Sequence, residues 1–239
     1  MQMYDMHSHI LPGIDDGAQN VEKSLEILNA LKAQGVTNVC FTPHFYTNEI
    51  SAADFTAKRQ KAVETLMPHI PEGMKVVVGA EVYVTRYLFS GDDFSSACYG
   101  NSRYILTEHS YSASFSSHTM SYFTKLIENY NMIPILPHVE RYSVLMNDPA
   151  IIGELKDMGV VIQTNANSYT KKAQFFSKHK LIKLIKGGFI DILGSDSHSL
   201  THNDPRAFGE AVDYISSKCG QETVEKMMKN AEKIFNSAL

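Results

Sequence analysis

Seven short apolar segments recur along the chain about thirty residues apart, with amphipathic segments between them. This alternation is typical of βαβ units in a parallel α/β fold, in which each apolar segment forms a buried strand. Seven such units can close into a (β/α)7 barrel, one unit short of the usual eight, and an open doubly wound sheet is the rival arrangement. The predicted strands cover residues 4–6, 36–42, 75–80, 103–107, 133–136, 160–164 and 190–194.

Helix signals fill the intervals between the predicted strands. Asn20 can cap a first helix that ends at Gly35, and Ser51 can cap the next one. Asp148 followed by Pro149 marks a later helix start. Since no segment resembles an interdomain linker, we expect one domain over residues 1–239. Further helices are predicted over residues 119–131, 149–158, 172–186, 206–218 and 222–235.

The composition excludes several classes of protein. A hydrophobic content of 44% is ordinary for a globular chain, and a net charge of -4 argues against a general nucleic-acid binder. The longest apolar runs are too short to span a bilayer, so no membrane insertion is expected. The first motif leaves no room for a signal peptide, and three scattered cysteines, Cys40, Cys98 and Cys219, do not suggest a disulfide framework. We therefore expect a cytoplasmic protein, with its oligomeric state left open.

Histidines and carboxylates stand where the predicted strands end. His7-Ser8-His9 follows the first strand and Asp196-Ser197-His198 follows the last. The carboxyl ends of barrel strands meet at one face, where barrel enzymes have their active sites, so we predict one polynuclear metal centre. Imidazole and carboxylate ligands without cysteine favour Zn, Mn or Fe over Ca, and several carboxylates allow two or three ions. The candidates that follow the strands in between are His44, Glu81, Glu108 and His138.

Two arginines are candidates for binding a phosphoester, because a guanidinium group can hold phosphate oxygens with two parallel hydrogen bonds. Arg141 lies three residues beyond His138, which places it at the rim of the predicted site. Arg206 follows the Asp196–His198 motif and can reach the site from a loop. An alternative interpretation, almost equally favoured, is that Arg206 is an ordinary residue in the first turn of a helix.

Several other residues near these motifs can be explained by local structure. Asp15 and Asp16 lie in an Asp-Asp-Gly segment that fits a capped turn before the first helix. Phe45, Tyr46 and Tyr83 adjoin predicted ligands, where they form either a wall for an aromatic substrate or packing between loops.

Nucleophilic catalysis by a side chain is not indicated. A cysteine-dependent phosphatase needs a thiolate and an arginine at a fixed spacing in a loop before a helix. The nearest pair, Cys98 and Arg103, has the wrong spacing and leads into a predicted strand. The sequence also has neither a Gly-x-Ser-x-Gly elbow nor a Gly-x-x-x-x-Gly-Lys phosphate loop. Hydrolysis by a metal-bound hydroxide is the remaining expectation.

With these motifs assembled, the chain resembles the polymerase-and-histidinol-phosphatase (PHP) superfamily. Within it, the chain is most similar to the bacterial metal-dependent protein-tyrosine phosphatases of capsule and exopolysaccharide loci. The resemblance runs essentially end to end, and the opening motif is specific to that subgroup. The segments that carry it are residues 5–18 (DMHSHILPGIDDGA), 42–44 (TPH), 79–81 (GAE), 137–141 (PHVER) and 194–198 (GSDSH).

The resemblance implies a distorted (β/α)7, TIM-like barrel of PHP type that holds three divalent ions, often manganese. The implied ligand sets are His7, His9, Glu81 and Asp196 for one ion; Glu81, Glu108 and His138 for a second; and Asp16, His44 and His198 for the third.

The resemblance also implies the substrate. It would be phosphotyrosine on a protein, typically the tail of a bacterial tyrosine kinase that controls polysaccharide export. Two alternatives stay open. One is a small-molecule phosphomonoesterase such as a histidinol-phosphate phosphatase, and the other is a metal-binding kinase regulator without catalytic activity.

Overall fold

The computed structural model describes residues 1–91 and 93–239 and contains a ring of parallel strands surrounded by helices. All recorded strand pairs are parallel, as the alternation of apolar and amphipathic segments predicts. The strands are β1 (Met3–Ser8), β2 (Val36–Phe41), β3 (His44–Tyr46), β4 (Lys75–Val78), β5 (Glu81–Tyr83), β6 (Tyr104–Glu108), β7 (Ile133–Leu136), β8 (Val161–Asn165) and β9 (Ile192–Gly194).

Two of the seven predicted strands are each followed by a short further strand that the sequence did not predict. The second predicted strand is β2, and β3 follows it after Pro43; the third is β4, and β5 follows it after Gly79. Proline has no N–H for a sheet ladder. At Gly79 a Cβ atom would lie 2.5 Å from the Tyr99 ring, so only glycine allows this close approach. The breaks coincide because β4 pairs with β2 and β5 pairs with β3.

Backbone hydrogen bonds bring the last strand beside the first. The Asp196 amide donates to the His7 carbonyl at 2.7 Å, and the His9 amide donates to the Ser197 carbonyl at 3.0 Å. Together with the pairings β1-β2-β4 and β3-β5-β6-β7-β8-β9, these contacts give seven strand positions around the ring. The open-sheet alternative is therefore wrong, and the TIM-like α/β barrel is confirmed.

Helices follow most strands and begin where the sequence signals place them. The Asn20 side chain accepts from the Lys23 amide, that of Ser51 from Asp54, and that of Asp148 from Ala150, so the three predicted N-caps are confirmed. The helices are α1 (Val21–Ala33), α2 (Ala52–Leu66), α3 (Ser117–Thr124), α4 (Ser143–Asn147), α5 (Pro149–Asp157), α6 (Phe175–Lys186), α7 (Ala207–Cys219) and α8 (Gln221–Ala238).

The predicted helix over residues 119–131 is only partly an α-helix. It starts two residues earlier, at Ser117, and its second half is a π-helical turn over Lys125–Asn129. It ends before Asn131, whose φ of 54° lies in the left-handed region. Asparagine tolerates that conformation better than most residues, which explains why the helix stops there.

The apolar interior lies below the carboxyl ends of the strands. Met6, Cys40 and Leu106 from different strands form one buried cluster with Ile234 and Phe235 of α8. This last helix packs against the starts of the strands and so closes the amino end of the ring. Over the described residues, no helix is both long and apolar enough to cross a membrane.

Candidate metal centre

The structure brings all nine predicted metal ligands to the carboxyl ends of the strands. Most of them are buried. Burying several charged groups together is unfavourable unless they are paired with opposite charges or bind a metal ion. The nine predicted ligands are His7, His9, Asp16, His44, Glu81, Glu108, His138, Asp196 and His198.

The Glu81 carboxylate lies at the middle of the group. Its Oε2 atom is 3.2 Å from His7 Nε2, 3.3 Å from His9 Nε2 and 3.0 Å from His44 Nδ1. Its other oxygen, Oε1, is 2.9 Å from His138 Nε2. A carboxylate with both oxygens facing imidazole nitrogens is arranged to bridge two cations.

Three groups of ligand atoms could each hold one ion, with all atoms of a group within 4.8 Å of one another. They resemble the three implied sets, with one difference in each. Asp196 is not part of the first group, although its Oδ1 is 3.3 Å from His9 Nε2. The groups are His7, His9 and Glu81; His44, Glu81 and Glu108; and His9, Asp16, His44 and His198.

The second and third groups differ by one histidine each. His44 replaces His138 beside Glu108, although His138 Nε2 is 3.7 Å from Glu108 Oε1. His9 is added to the third group, in which the exposed Asp16 carboxylate lies 3.5 Å from His44 and 3.4 Å from His198.

Buried atoms without hydrogen bonds support a cation in this cluster. In the part of the chain that the structure describes, Glu81 Oε2 and His44 Nδ1 are buried and lie 3.0 Å apart, yet neither forms a hydrogen bond. Buried polar atoms are nearly always hydrogen bonded, and exceptions need an explanation. Divalent ions would satisfy the lone pairs of the carboxylate and of neutral imidazoles, and this donor set suits Mn, Fe or Zn.

Burial and neighbouring charges shift the pKa values of several groups in this cluster. Burial and the neighbouring Glu81 charge raise the pKa of Glu108. Burial also disfavours the charged form of Asp196, but His7, His9 and Arg141 outweigh it and lower the pKa of that carboxyl. Burial and the proximity of His9 lower the pKa of His198 to about 4, which keeps its imidazole neutral and able to bind a metal.

Two of the predicted ligands have unusual backbone conformations. His138 has a φ of 34° and Asp196 a φ of 53°, both in the left-handed region that favours glycine. Neither residue is glycine, so each carries a conformational cost on the order of 1–3 kcal/mol. Such strain is typical of functional sites, where the side-chain direction matters more than local stability.

A shell of hydrogen bonds orients the predicted ligands, and sequence reasoning missed most of it. The Gln163 Oε1 atom accepts from the His138 amide at 3.0 Å and lies 3.3 Å from His7 Nδ1. The Asn165 and Asn203 side chains donate to Asp196 Oδ2 at 2.8 and 2.9 Å. Asn165 is the last residue of β8, whereas Gln163 lies inside that strand, follows no recognisable motif and is brought to the site by folding.

Asp15 is the clearest case of such an orienting residue. Its carboxylate lies 2.8 Å from His9 Nδ1 and accepts from the amides of His44 and Gly17, each at 3.0 Å. Burial disfavours its charged form, but the bond to His9 outweighs burial and lowers the pKa of the Asp15 carboxyl. The Asp-Asp-Gly segment thus forms a turn and also fixes two predicted ligands.

We expect Asp15→Asn to weaken metal binding or turnover about 10–100-fold, because it removes the negative charge that holds His9 in place. Metal titration and kcat/KM on a phosphotyrosine peptide would measure this effect. Asp213→Asn, which changes an exposed carboxylate of α7, is the matched control. Equal metal affinity and equal kcat/KM in the two variants would contradict an orienting role for Asp15.

Arg141 lies at the rim of the cluster, as predicted from its spacing to His138. Its guanidinium donates to Asp196 Oδ2 and, at 2.8 Å, to the Tyr111 hydroxyl, which in turn donates to Glu108 Oε1 at 2.7 Å. Burial disfavours the charged guanidinium, but Asp196 outweighs burial and raises the pKa of Arg141. A fixed positive charge therefore faces the cluster at every physiological pH.

Arg206 is the one predicted site residue that the structure does not bring to the cluster. Its side chain is 58% exposed and pairs with the Asp204 carboxylate and the Leu200 carbonyl. It also lines a different cavity, beside α7. Arg206 is the N-cap residue directly before α7, one position before the first helical turn in which the other interpretation placed it.

The cluster opens into a cavity of about 600 Å³. Tyr46, Tyr83 and Tyr111 line this cavity together with Arg141. Phe45, the third aromatic residue considered in the sequence, is instead buried and stacks on Phe55 with ring centroids 4.4 Å apart. The cavity is large enough for a phosphorylated aromatic side chain and has both a cation and rings at its wall.

Known proteins are similar to this chain in sequence and in fold. A family model described as capsular polysaccharide synthesis, CpsB/CapC, matches residues 3–236. The chain is 30% identical to the tyrosine-protein phosphatase CpsB of Streptococcus pneumoniae, across 99% of this chain and 100% of that protein. It is 26% identical to the tyrosine-protein phosphatase YwqE of Bacillus subtilis, across 98% of this chain and 92% of that protein.

The fold agrees with a solved structure of the same group. It superposes with a TM-score of 0.81 and 22% identity on a chain from the crystal structures of YwqE from Bacillus subtilis and CpsB from Streptococcus pneumoniae, described as unique metal-dependent tyrosine phosphatases. The match covers 99% of this chain and 96% of that one.

Proposed function

The chain belongs to the capsular polysaccharide synthesis CpsB/CapC family, and from that premise we propose that it is a metal-dependent phosphatase of phosphotyrosine in proteins. The observation that carries this proposal is the convergence of imidazoles and carboxylates around Glu81, with buried unpaired atoms and the Arg141 guanidinium beside them. The tyrosine-protein phosphatase relatives support the choice of substrate.

Three ions would bind the groups of side chains that meet in this cavity. Manganese is the preferred metal in this proposal, with Fe and Zn as the alternatives that the donor set also suits. Support for three ions comes from the three groups of ligand atoms, which share Glu81, His9 and His44. The proposed ligands are His7, His9, Asp16, His44, Glu81, Glu108, His138, Asp196 and His198.

Bound ions would supply a water activated for attack on phosphorus and would neutralise charge on the phosphoryl oxygens. Arg141 binds the same oxygens with its guanidinium, which Asp196 and Tyr111 hold in a fixed orientation. Asp15 and Gln163 fix the imidazole rings of His9 and His7. Positioning and charge therefore supply most of the rate enhancement, as is usual for phosphoryl transfer.

The substrate ring would lie against the tyrosines of the cavity wall. Burial and the charge of Glu108 raise the pKa of Tyr46 to about 12, so its hydroxyl stays protonated and can donate a hydrogen bond. Tyrosine leaves as a phenolate with a pKa of about 10, far lower than that of a serine alkoxide, and therefore needs less help from a general acid. We assign no general acid.

The biological setting of this activity is also a proposal. The family description, capsular polysaccharide synthesis, supports a tyrosine kinase that controls capsule or exopolysaccharide synthesis as the phosphoprotein substrate. The three cysteines are free in the structure, which supports action in the reducing cytoplasm, and the whole chain would act as one phosphatase domain.

We expect phosphate release from a phosphotyrosine peptide to require added Mn²⁺ and to stop with a chelator, because the phosphoryl group would face uncompensated carboxylates without metal. The assay measures the inorganic phosphate released from this peptide, from histidinol phosphate and from a phosphoserine peptide, and compares the three rates. Excess Mn²⁺ added after chelation should restore the rate.

Each other outcome of that assay points to a different function. A preference for histidinol phosphate would keep the metal centre but make the protein a small-molecule phosphomonoesterase. Absence of turnover on all three substrates, with metal shown to be bound, would favour a kinase regulator without catalytic activity.

A further inference from the structure

The segment between β8 and β9 is strongly cationic. Residues 166–191 include six lysines and one carboxylate, Asp191, which pairs with Lys156 outside the segment. Since the whole chain has a formal net charge of -4, the remaining residues together carry -9 against +5 in this segment. Such asymmetry within an acidic protein indicates a local surface for an anionic partner.

Two adjacent phenylalanines project from the same segment into solvent. Phe175 is 72% exposed and Phe176 is 81% exposed, the highest values among the large hydrophobic side chains of the described residues. Their rings contact each other edge to face, with centroids 5.8 Å apart. Adjacent, fully projecting apolar rings are unfavourable in water and mark an interaction site rather than packing.

Lysines flank the two rings in the sequence around the start of α6. Lys171, Lys172 and Lys180 have exposed side chains, and the last of these donates to the Asn147 amide oxygen. Two carboxylates lie near the segment. Glu210 accepts from the Lys171 backbone amide at 2.6 Å. The bond to Arg206, and to a lesser degree the charge of Lys172, lowers the pKa of Asp204. Within the described residues, no carboxylate forms a salt bridge with the ammonium groups of these three lysines, which leaves them able to contact anions outside the chain.

The Phe175–Phe176 pair lies on the same side of the barrel as the candidate metal centre. It begins α6, which follows the carboxyl end of β8, and the buried residues Leu181 and Ile185 anchor the rest of the helix. In a barrel of parallel strands, the loops and helix starts after the strands form the face that carries the active site. A surface bound there would face the cavity.

We propose that Phe175, Phe176 and the surrounding lysines form a peripheral docking site for an anionic lipid bilayer, which directs the mouth of the metal centre toward the membrane surface. Apolar rings beside lysines match the two layers of such a surface, with the rings entering the acyl boundary and the ammonium groups contacting anionic headgroups. An acidic peptide would match the lysines, but two projecting rings offer it no groove.

Sedimentation with lipid vesicles tests this proposal. We expect the protein to bind vesicles of phosphatidylcholine with about a third phosphatidylserine at least about tenfold more strongly than vesicles of pure phosphatidylcholine. Binding to the anionic vesicles should weaken as the salt concentration is raised. Phe175→Ser/Phe176→Ser and Lys171→Glu/Lys172→Glu should each lose about tenfold or more of that binding. Met67→Ser and Lys226→Glu/Lys229→Glu, which change exposed residues elsewhere, should bind as the parent does.

Turnover of a freely diffusing phosphotyrosine peptide separates this proposal from the proposed function. The Phe175→Ser/Phe176→Ser variant should keep its kcat/KM on that peptide, because neither ring lines the cavity of the metal centre. Failure of the parent protein to bind anionic vesicles, or equal binding by this variant, would overturn the docking site whatever the activity. Loss of kcat/KM on the peptide without vesicle binding would identify a peptide-docking surface instead and would also overturn the proposal.

Discussion

Glu81→Gln is expected to lower kcat/KM on a phosphotyrosine peptide by about a thousandfold or more, the largest effect of any single substitution proposed for this protein. The change keeps the size of the side chain and removes its charge. Glu81 is the residue whose carboxylate lies within 3.3 Å of nitrogens from His7, His9 and His44 on one oxygen and beside His138 on the other. No other predicted carboxylate ligand faces four imidazole rings; Asp196 faces three.

The physical reason is that, in the proposed centre, the Glu81 carboxylate would contribute to two cations at once. A glutamine amide has a single weakly basic oxygen and offers an N–H group to imidazole nitrogens that should face a metal. Metal content should therefore fall together with turnover. The electrostatics of the folded chain agree: burial disfavours the charged form of Glu81, but His7, His138 and His44 outweigh burial and lower its pKa well below the usual value.

Metal content by elemental analysis and kcat/KM in saturating Mn²⁺ would measure the effect. Glu64→Gln is the matched control, because the same chemical change is then made on an exposed position of α2. Thermal unfolding with and without Mn²⁺ separates loss of the site from loss of the fold. A Glu81→Gln variant with parental turnover and metal content would remove the bridging role and, with it, the proposed centre.

The ends of the strands explain why so much of this site could be predicted from sequence. In a parallel barrel, the position of a residue at the carboxyl end of an apolar run fixes its place in the fold, so His44, Glu108 and His138 converge although they are far apart in the chain. The same logic predicted Arg141, because three residues cannot carry it away from His138.

The sequence alone could not predict contacts that depend on the direction in which a side chain points. Gln163 lies inside a strand and reaches His7 because its side chain crosses from β8 toward β1, and nothing in its neighbours' sequence marks that contact. Tyr111 sits in a loop between β6 and α3 and meets Arg141 only after folding. Arg206 shows the converse, since Asp204, two residues away, holds its guanidinium on the surface.

Irregularities of the backbone could not be predicted from the sequence for a related reason. Pro43 and Gly79 each separate a predicted strand from a short further strand, and the two breaks lie side by side only because the strands pair. The left-handed conformations of His138 and Asp196 were equally hidden, because such strain is imposed by surrounding contacts and not by local preference.

Arg141→Lys is expected to lower kcat/KM about a hundredfold while leaving metal content near the parental value. The guanidinium uses one arm on Asp196 and another on Tyr111, and a single ammonium group cannot hold both while also facing phosphate oxygens. Asp196 outweighs burial and raises the pKa of Arg141, so the parent protein keeps this positive charge throughout the assay. The loss of kcat/KM should therefore be the same from about pH 6 to about pH 9.

The pH profile and the metal content distinguish phosphate binding from mere support of the fold. Arg103→Lys is the control, since it makes the same substitution in an exposed side chain that bonds to Asn131. Arg206→Lys, assayed in parallel, decides the role of the second predicted arginine, and a change below about twofold is expected because surface ion pairs contribute little. If Arg141→Lys lost metal together with activity, Arg141 would support the Asp196 ligand and would not bind substrate. A drop confined to kcat/KM is the result that places this guanidinium on the phosphoryl group.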